Sequence, residues 1–262
     1  MSDAIEFDEK AAAETERSYL TADITATRAI VMELLSPHPG DIVLDVGSGP
    51  GLLLRDLAEA VGPNGLAAGI DISASMAAIA RHRLADAGNV EIVTGDATAL
   101  PWPDAHFDGA VSTQVYEYVE DLGLAFAELY RVLKPGGHAV VMATDADTIL
   151  FGPAGDVTAG QAREAWPRHC AHPYLPRDLE RLLGLAGFSV IDRKVHVIAN
   201  HEFTPDNFGW HMARSQSVYA AKQGAIAKED GKAWIASLDQ LSHDGAFFFS
   251  MNRYLFVATK PE

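Results

Sequence analysis

The nine residues Val43-Leu44-Asp45-Val46-Gly47-Ser48-Gly49-Pro50-Gly51 constrain the fold of this chain more than any other stretch. Three apolar residues surround one acid, and glycines then alternate at positions 47, 49 and 51. Such a run reads as a buried parallel strand that opens into a glycine loop and then a helix over 52–61. Glycine lets backbone approach a ligand where a Cβ would clash. The loop N–H groups and the helix N-terminus then face that ligand. A dinucleotide fingerprint G-x-G-x-x-G would need its third glycine where Leu52 stands, and Gly51 comes one place early.

Turn signals divide the rest of the chain. Residues 8–35 read as a helix with an apolar stripe through Tyr19, Leu20, Ile24, Ile30, Val31 and Leu34, broken by Pro37 and Pro39-Gly40. Strands are expected at 42–46, 66–70, 90–94, 107–112 and 138–143, with helices between them. Strand alternating with helix requires a parallel sheet with right-handed crossovers and helices on both faces. After residue 145 the rhythm changes. A short helix is expected near 159–166, another over 176–186, and two long strands at 190–199 and 246–259.

Composition narrows the class. With 48% of its 262 residues apolar, the chain can bury a full core without disulfides or a structural metal. Cys170 is the single cysteine, which leaves no intrachain disulfide and no cysteine cluster, and fits a cytoplasmic setting. Residues 2–16 are acidic and carry no apolar h-region. No apolar run approaches the ~20 residues that span a bilayer, so no membrane partner is expected. The net charge of −16 and scattered basic residues disfavour nucleic acid. No histidine pair shows metal-ligand spacing with a nearby acid, and no metal is expected.

Two further acids extend the reading of the loop. Asp71 ends the second strand twenty residues after Gly51, where a carboxylate accepts ribose hydroxyls in charge-assisted hydrogen bonds. Asp96, in Gly95-Asp96-Ala97-Thr98, follows the third strand, where an acid can accept an adenine amine while the Ala97 N–H faces the ring. Asp45 sits at the carboxyl end of the first strand, where open α/β sheets bind ligands.

Together the stretches 43–51, 69–73, 95–101, 107–111 and 131–137 resemble the class I S-adenosylmethionine (SAM) methyltransferases. The closest likeness is to the small-molecule branch with the ubiquinone and menaquinone C-methyltransferases, the UbiE-like or methyltransferase 11 group. The resemblance implies a doubly wound, Rossmann-like sheet of seven strands in the order 3-2-1-4-5-7-6, with strand 7 antiparallel. It implies one domain over 1–262, with residues 1–36 as a helical cap and 201–245 as a lid between strands 6 and 7. Gly47, Ser48 and Gly49 would face the methionyl part of the cofactor, and Arg28 would pair with its carboxylate. Thr113 would line the pocket near the sulfonium, and Ile72 and Met76 would pack on ribose and adenine.

A sulfonium is already a reactive methyl donor, so the protein mainly positions the reactants. A base is needed only where the acceptor must lose a proton. Tyr19, Asp145 and His201 are the candidates taken forward, with Tyr116, Glu117 and Asp147 behind them. Phe203, Phe208, Trp210, Tyr219 and Trp234 in the 201–245 segment suggest either an apolar acceptor pocket or the core of an added helical layer. The expected activity is C-, N- or O-methylation of a small, apolar or aromatic metabolite, such as a quinone precursor or natural product, yielding S-adenosylhomocysteine (SAH), by a monomer or homodimer. The alternatives are an NAD-dependent oxidoreductase, against which Leu52 and Asp96 speak, and a SAM-binding protein without catalysis.

Overall fold

The alternation of apolar β-formers with amphipathic helices builds one eight-stranded sheet in a computed structural model that describes residues 16–262. Strand β1 (Ile42–Val46) lies at its centre, parallel to β2 (Leu66–Asp71) on one side and β4 (Phe107–Thr113) on the other. β3 (Val90–Thr94) extends the sheet beyond β2, and β5 (Leu133–Thr144) beyond β4. A two-residue strand β6 (Leu150–Phe151) and the long β7 (Ser189–Asn200) precede β8 (Phe249–Thr259). β8 runs antiparallel to β5, β6 and β7. The order of the seven long strands is the expected one; the extra β6 pairs with β8 at Ser250 and Phe249, beyond the last β5 partner.

Helices cover both faces. On one side α1 (Ala22–Leu35) and α2 (Leu52–Val61) bury Val31, Leu35, Leu54 and Leu57 against Val43, Val140 and Leu255. On the other, α4 (Leu122–Val132) and α6 (Leu179–Leu185) bury Phe126, Leu129, Leu179 and Leu183 with Leu44, Phe107 and Val141. The helix α3 (Ala74–Arg83) starts at Ser73, whose hydroxyl accepts from Met76 N–H. A third cluster, from Ile149, Phe203, Phe208, Trp234, Leu238 and Phe249, joins α5 (Val157–Ala165), α7 (Phe208–Lys222) and α8 (Lys228–His243) to the end of the sheet.

Two local expectations change. The helix expected over 8–35 lies partly outside the described residues, and its described part is interrupted before α1. Thr21 is extended at φ −59°, ψ 153°, and its hydroxyl donates to the Ser18 carbonyl at 2.9 Å, competing with the helical ladder. Leu20, expected on the apolar stripe, is exposed. The strand expected from His138 starts at Leu133, because Lys260 holds the Lys-Pro-Gly-Gly segment. The Lys260 ammonium donates to the Tyr130 and Leu133 carbonyls, and Gly136 and Gly137 exchange backbone bonds with Lys260.

Asp23 fixes α1 to the added layer. Its Oδ2 accepts from the Phe208 N–H at 2.9 Å and from Asn200 Nδ2 at 3.0 Å, so a residue of the N-terminal segment supplies the cap of α7.

The Phe126→Ala variant tests the core assignment. Phe126 is fully buried against Tyr116, with ring centroids 4.6 Å apart. Its truncation is expected to lower unfolding stability by about 3–5 kcal/mol, read by denaturant titration.

Candidate active site

The carboxyl end of β1 turns sharply into α2 through Gly47 (φ +74°) and Gly49 (φ +52°). The Gly47 and Ser48 N–H groups donate to the Ile70 carbonyl, at 2.7 and 3.0 Å. The Asp71 carboxylate then ties two segments together. Its Oδ2 accepts from Gly49 N–H and its Oδ1 from Ser73 N–H, both at 2.8 Å. Space beside Gly49 is open, whereas a Cβ at Gly47 would stand 2.0 Å from a Val115 methyl.

Asp45 lies under this turn with 1% of its surface exposed. Its Oδ1 and the Ser48 hydroxyl have no hydrogen-bond partner among the described residues. Burial, with the Asp71 charge adding to it, pushes the Asp45 carboxyl up to about 8. Burial raises Asp71 too, against the pull of its two backbone donors. Two orphaned buried oxygens, two carboxyls and an open glycine turn suit a ligand bearing a cationic group and vicinal hydroxyls. The residues present fit the amine and ribose of SAM.

The other predicted cofactor residues are placed as follows. The Arg28 guanidinium is engaged within the protein, donating to Tyr19 O at 2.7 Å and to Asp56 Oδ2 at 3.3 Å. Ile72 is three-quarters exposed beside Asp71, while Met76 is buried. Asp96 is an exposed turn residue whose Oδ1 accepts from the Thr98 N–H and hydroxyl, both at 2.8 Å. Ala97 packs partly against the core. Thr113 ends β4, half-buried.

Immediately after Thr113 a second polar centre begins. Gln114 sits in the left-handed region at φ +60°. Its amide donates to Glu117 Oε1 at 2.8 Å and its carbonyl accepts from the Thr144 hydroxyl at 2.7 Å. Glu117 Oε1 also accepts from Thr144 N–H at 2.9 Å, and Arg253 Nη1 donates to the Thr144 hydroxyl at 2.7 Å. Glu117 and Arg253 are each 5% exposed, and each keeps one atom, Oε2 and Nε, without a partner among the described residues. Burial pushes Glu117 up to about 7 and Arg253 down to about 10. Arg253 also lies over the Phe208 ring at 5.3 Å, at the start of α7.

Glu117 borders a cavity of about 70 Å³ at the carboxyl ends of β4 and β5. Trp166, His169, Met212 and Met251 close it on other sides. His169 Nδ1 contacts the Trp166 carbonyl, which can only accept, so Nδ1 carries the proton. Burial disfavours the imidazolium, so Nε2 accepts from the Tyr118 hydroxyl at 3.2 Å. Val115 bridges the two centres, since it packs on Gly47 and stands between Gln114 and Glu117.

None of the three foremost base candidates borders this cavity. Asp145 is held by Arg177, at 2.6 and 2.9 Å, and its Oδ1 accepts from Asp147 N–H. His201 is exposed beside Phe248. Tyr19 is half-buried, and its phenol is raised by its surroundings within electrostatic reach of Arg253 and Asp71. Of the residues behind them, Tyr116 is core, whereas Glu117 occupies the site. Sequence could show Glu117 only as one acid among several past a strand end. The aromatics of 201–245 largely pack on neighbouring segments: Phe203 meets Phe247 at 5.2 Å and Trp234 meets Phe151 at 5.5 Å. From that segment Met212 reaches the cavity.

Residues 44–141 match the family described as Methyltransferase domain. An uncharacterized 37.1 kDa protein in transposon TN4556 of Streptomyces fradiae is 32% identical over 254 residues, covering 96% of this chain and 69% of that protein. The ubiquinone/menaquinone biosynthesis C-methyltransferase UbiE of Ectopseudomonas mendocina is 41% identical over 118 residues, 44% of this chain and 46% of that enzyme. The match thus spans about half the length of the UbiE relative. The Haemonchus contortus phosphoethanolamine N-methyltransferase 2, solved with S-adenosyl-L-methionine, superposes with TM-score 0.65 at 20% identity, covering 99% of this chain and 59% of that one.

Gly47→Ala and Gly49→Ala separate strain from contact at the turn. Both place alanine in the left-handed region, at about 1–2 kcal/mol. Gly47→Ala also drives a Cβ into Val115. Thermal unfolding is expected to show a clearly larger loss for Gly47→Ala, and equal losses would contradict the observed packing.

Proposed function

This chain belongs to the class I SAM-dependent methyltransferases, and on that premise we propose that its acceptor is a small, apolar or aromatic metabolite bound in the cavity between β4, β5 and α7. The observation that carries this reading is that Val115, the chain neighbour of Gln114 on the cavity wall, packs on Gly47 of the cofactor turn. SAM supplies a methyl group on sulfur, and Asp45, Ser48, Gly49 and Asp71 are the residues proposed to hold it. Asp45 would face the methionyl ammonium, and Asp71 the ribose while retaining its bond to Gly49. Arg28 reaches the methionyl carboxylate in this reading, sharing its guanidinium with Tyr19 O and Asp56. Ile72 and Ala97 flank the adenine, and Asp96 Oδ2 accepts its amine.

Residues 201–245 act as the lid, pinned by Asp23 and Arg253 to the body of the protein. Among the described residues no helix is long and apolar enough to cross a membrane. The free Cys170 supports a cytoplasmic setting. Release of SAH from SAM, measured against a panel of quinone precursors, phenols and indoles, tests the acceptor class. Turnover with none of them, in a protein that binds SAM, would favour the SAM-binding protein without catalysis. Binding of NAD in place of SAM would restore the oxidoreductase.

Asp45 gives the cofactor site a pH signature. Its folded carboxyl is raised, so its contribution to stability is complete below about pH 4 and declines as pH rises through about 8. A bound cation favours the carboxylate. SAM binding is therefore expected to release a proton below about pH 8, and its affinity to rise with pH up to that point. Calorimetry in buffers of differing ionisation enthalpy reads this directly. Asp45→Asn should remove the proton release and weaken binding at least about tenfold, as loss of a charge-assisted bond does.

A further inference from the structure

We propose that Glu117 is the catalytic residue that takes a proton from the acceptor, and that the acceptor presents an aromatic hydroxyl to its free oxygen, Oε2. The proposal deepens the acceptor assignment above and rests on it. Four observations converge on that atom.

First, Oε2 is a buried carboxyl oxygen with no partner among the described residues, on a residue that borders the cavity. Leaving such an atom unpaired is costly unless a ligand group fills it. Second, the other oxygen is clamped by Thr144 N–H and the Gln114 amide, so the carboxyl cannot rotate away. Gln114 is held at φ +60° to make that contact, with its N–H bonded to the Met142 carbonyl. A non-glycine residue in this region is uncommon and costs energy that its surroundings must offset. Third, the other polar groups on the cavity wall are occupied. The Tyr118 hydroxyl donates to His169, His169 donates to Trp166, the Thr144 hydroxyl donates to Gln114, and the Cys170 thiol reaches the Pro167 carbonyl at 3.8 Å. Fourth, Arg253 stands behind Thr144 and supplies the positive charge that keeps a buried carboxylate accessible near neutral pH. The remaining wall is apolar, from Ala146, Ile149, Trp166, Met212 and Met251, and suits a flat ring.

The step balances. The acceptor O–H proton passes to Glu117 Oε2, the acceptor oxygen forms a bond to the methyl carbon, and the S–CH₃ bond breaks with its electron pair staying on sulfur. Sulfonium and carboxylate charges are both consumed, which leaves neutral Glu117, the thioether and the methyl ether. Glu117 then returns its proton to solvent before the next cycle.

The test uses phenol and toluene, which differ in shape by little more than hydroxyl against methyl. With SAH-saturated wild-type protein, calorimetry is expected to show phenol binding at least about tenfold tighter than toluene. A site built to pair a hydroxyl rejects the analogue that lacks it. Phenol affinity should rise with pH through about 7 while toluene affinity stays flat. The charged and titratable groups facing Glu117 are Arg253 on β8, Cys170 and His169 from the segment after α5, and Tyr118, with Tyr19 acting on Tyr118 and Arg253. Of these, His169 is already biased to its neutral form. In Glu117→Gln the pH limb should vanish while SAH affinity is kept. SAH release from SAM with phenols that are turned over should fall about 10²–10⁴-fold. The wild-type pH comparison stands even where Glu117→Gln fails to fold. Equal binding of phenol and toluene, no binding of either, or retention of the pH limb in Glu117→Gln would overturn the proposal. Failure of SAH itself to bind would instead refute the cofactor assignment.

Discussion

One carboxylate holds the functional edge of this molecule in shape. Asp71 ends β2 and accepts from Gly49 in the β1–α2 turn and from Ser73 at the cap of α3. Without those bonds two glycine-bearing or polar loops from neighbouring strands would be free to part. With them, the turn is held open over Asp45, and a pair of acids is fixed within one small volume. Burial raises both carboxyls, and the Asp71 charge raises Asp45 further. A protein with net charge −16 would not gather acids there for stability alone. The arrangement becomes favourable when a cationic ligand enters, which is how a SAM site is expected to behave.

The second centre depends on the first through packing. Val115 presses on Gly47, and its neighbours Gln114 and Glu117 carry the polar network around Thr144 and Arg253. Arg253 belongs to β8, the strand that inserts antiparallel next to β5. Residues far apart in sequence therefore converge at the carboxyl ends of β4 and β5, where an open α/β sheet places its ligands. The added helical layer closes this end. Asp23 caps α7, Phe208 lies under Arg253, and Met212 reaches the cavity wall.

Legibility followed the range of the interactions. The β1 turn and Asp71 were readable because strand periodicity and glycine spacing are local, whereas the strand order came from the family resemblance of the motifs. The break at Thr21 was missed because one side-chain hydroxyl competes with a helix whose pattern otherwise continues. Asp145 read as a candidate base because its position past β5 is visible, while Arg177, which neutralises it, lies 32 residues on. Of the two readings of the 201–245 aromatics, the packing of Phe203, Phe208 and Trp234 favours the core of an added layer. Glu117 became distinctive only once its burial, its clamped oxygen and its free one were seen together. Arg253 left no signal at all, since an arginine inside an apolar strand reads as an outward-facing residue.

The structure of the complex with SAH tests the central claim most directly. The account predicts the adenosyl ribose on Asp71, the amine on Asp45, and the sulfur above the 47–49 turn with an open line past Thr113 to the cavity beside Glu117. A ligand that leaves Asp45 and Asp71 uncontacted, or whose sulfur is walled off from that cavity, would contradict it.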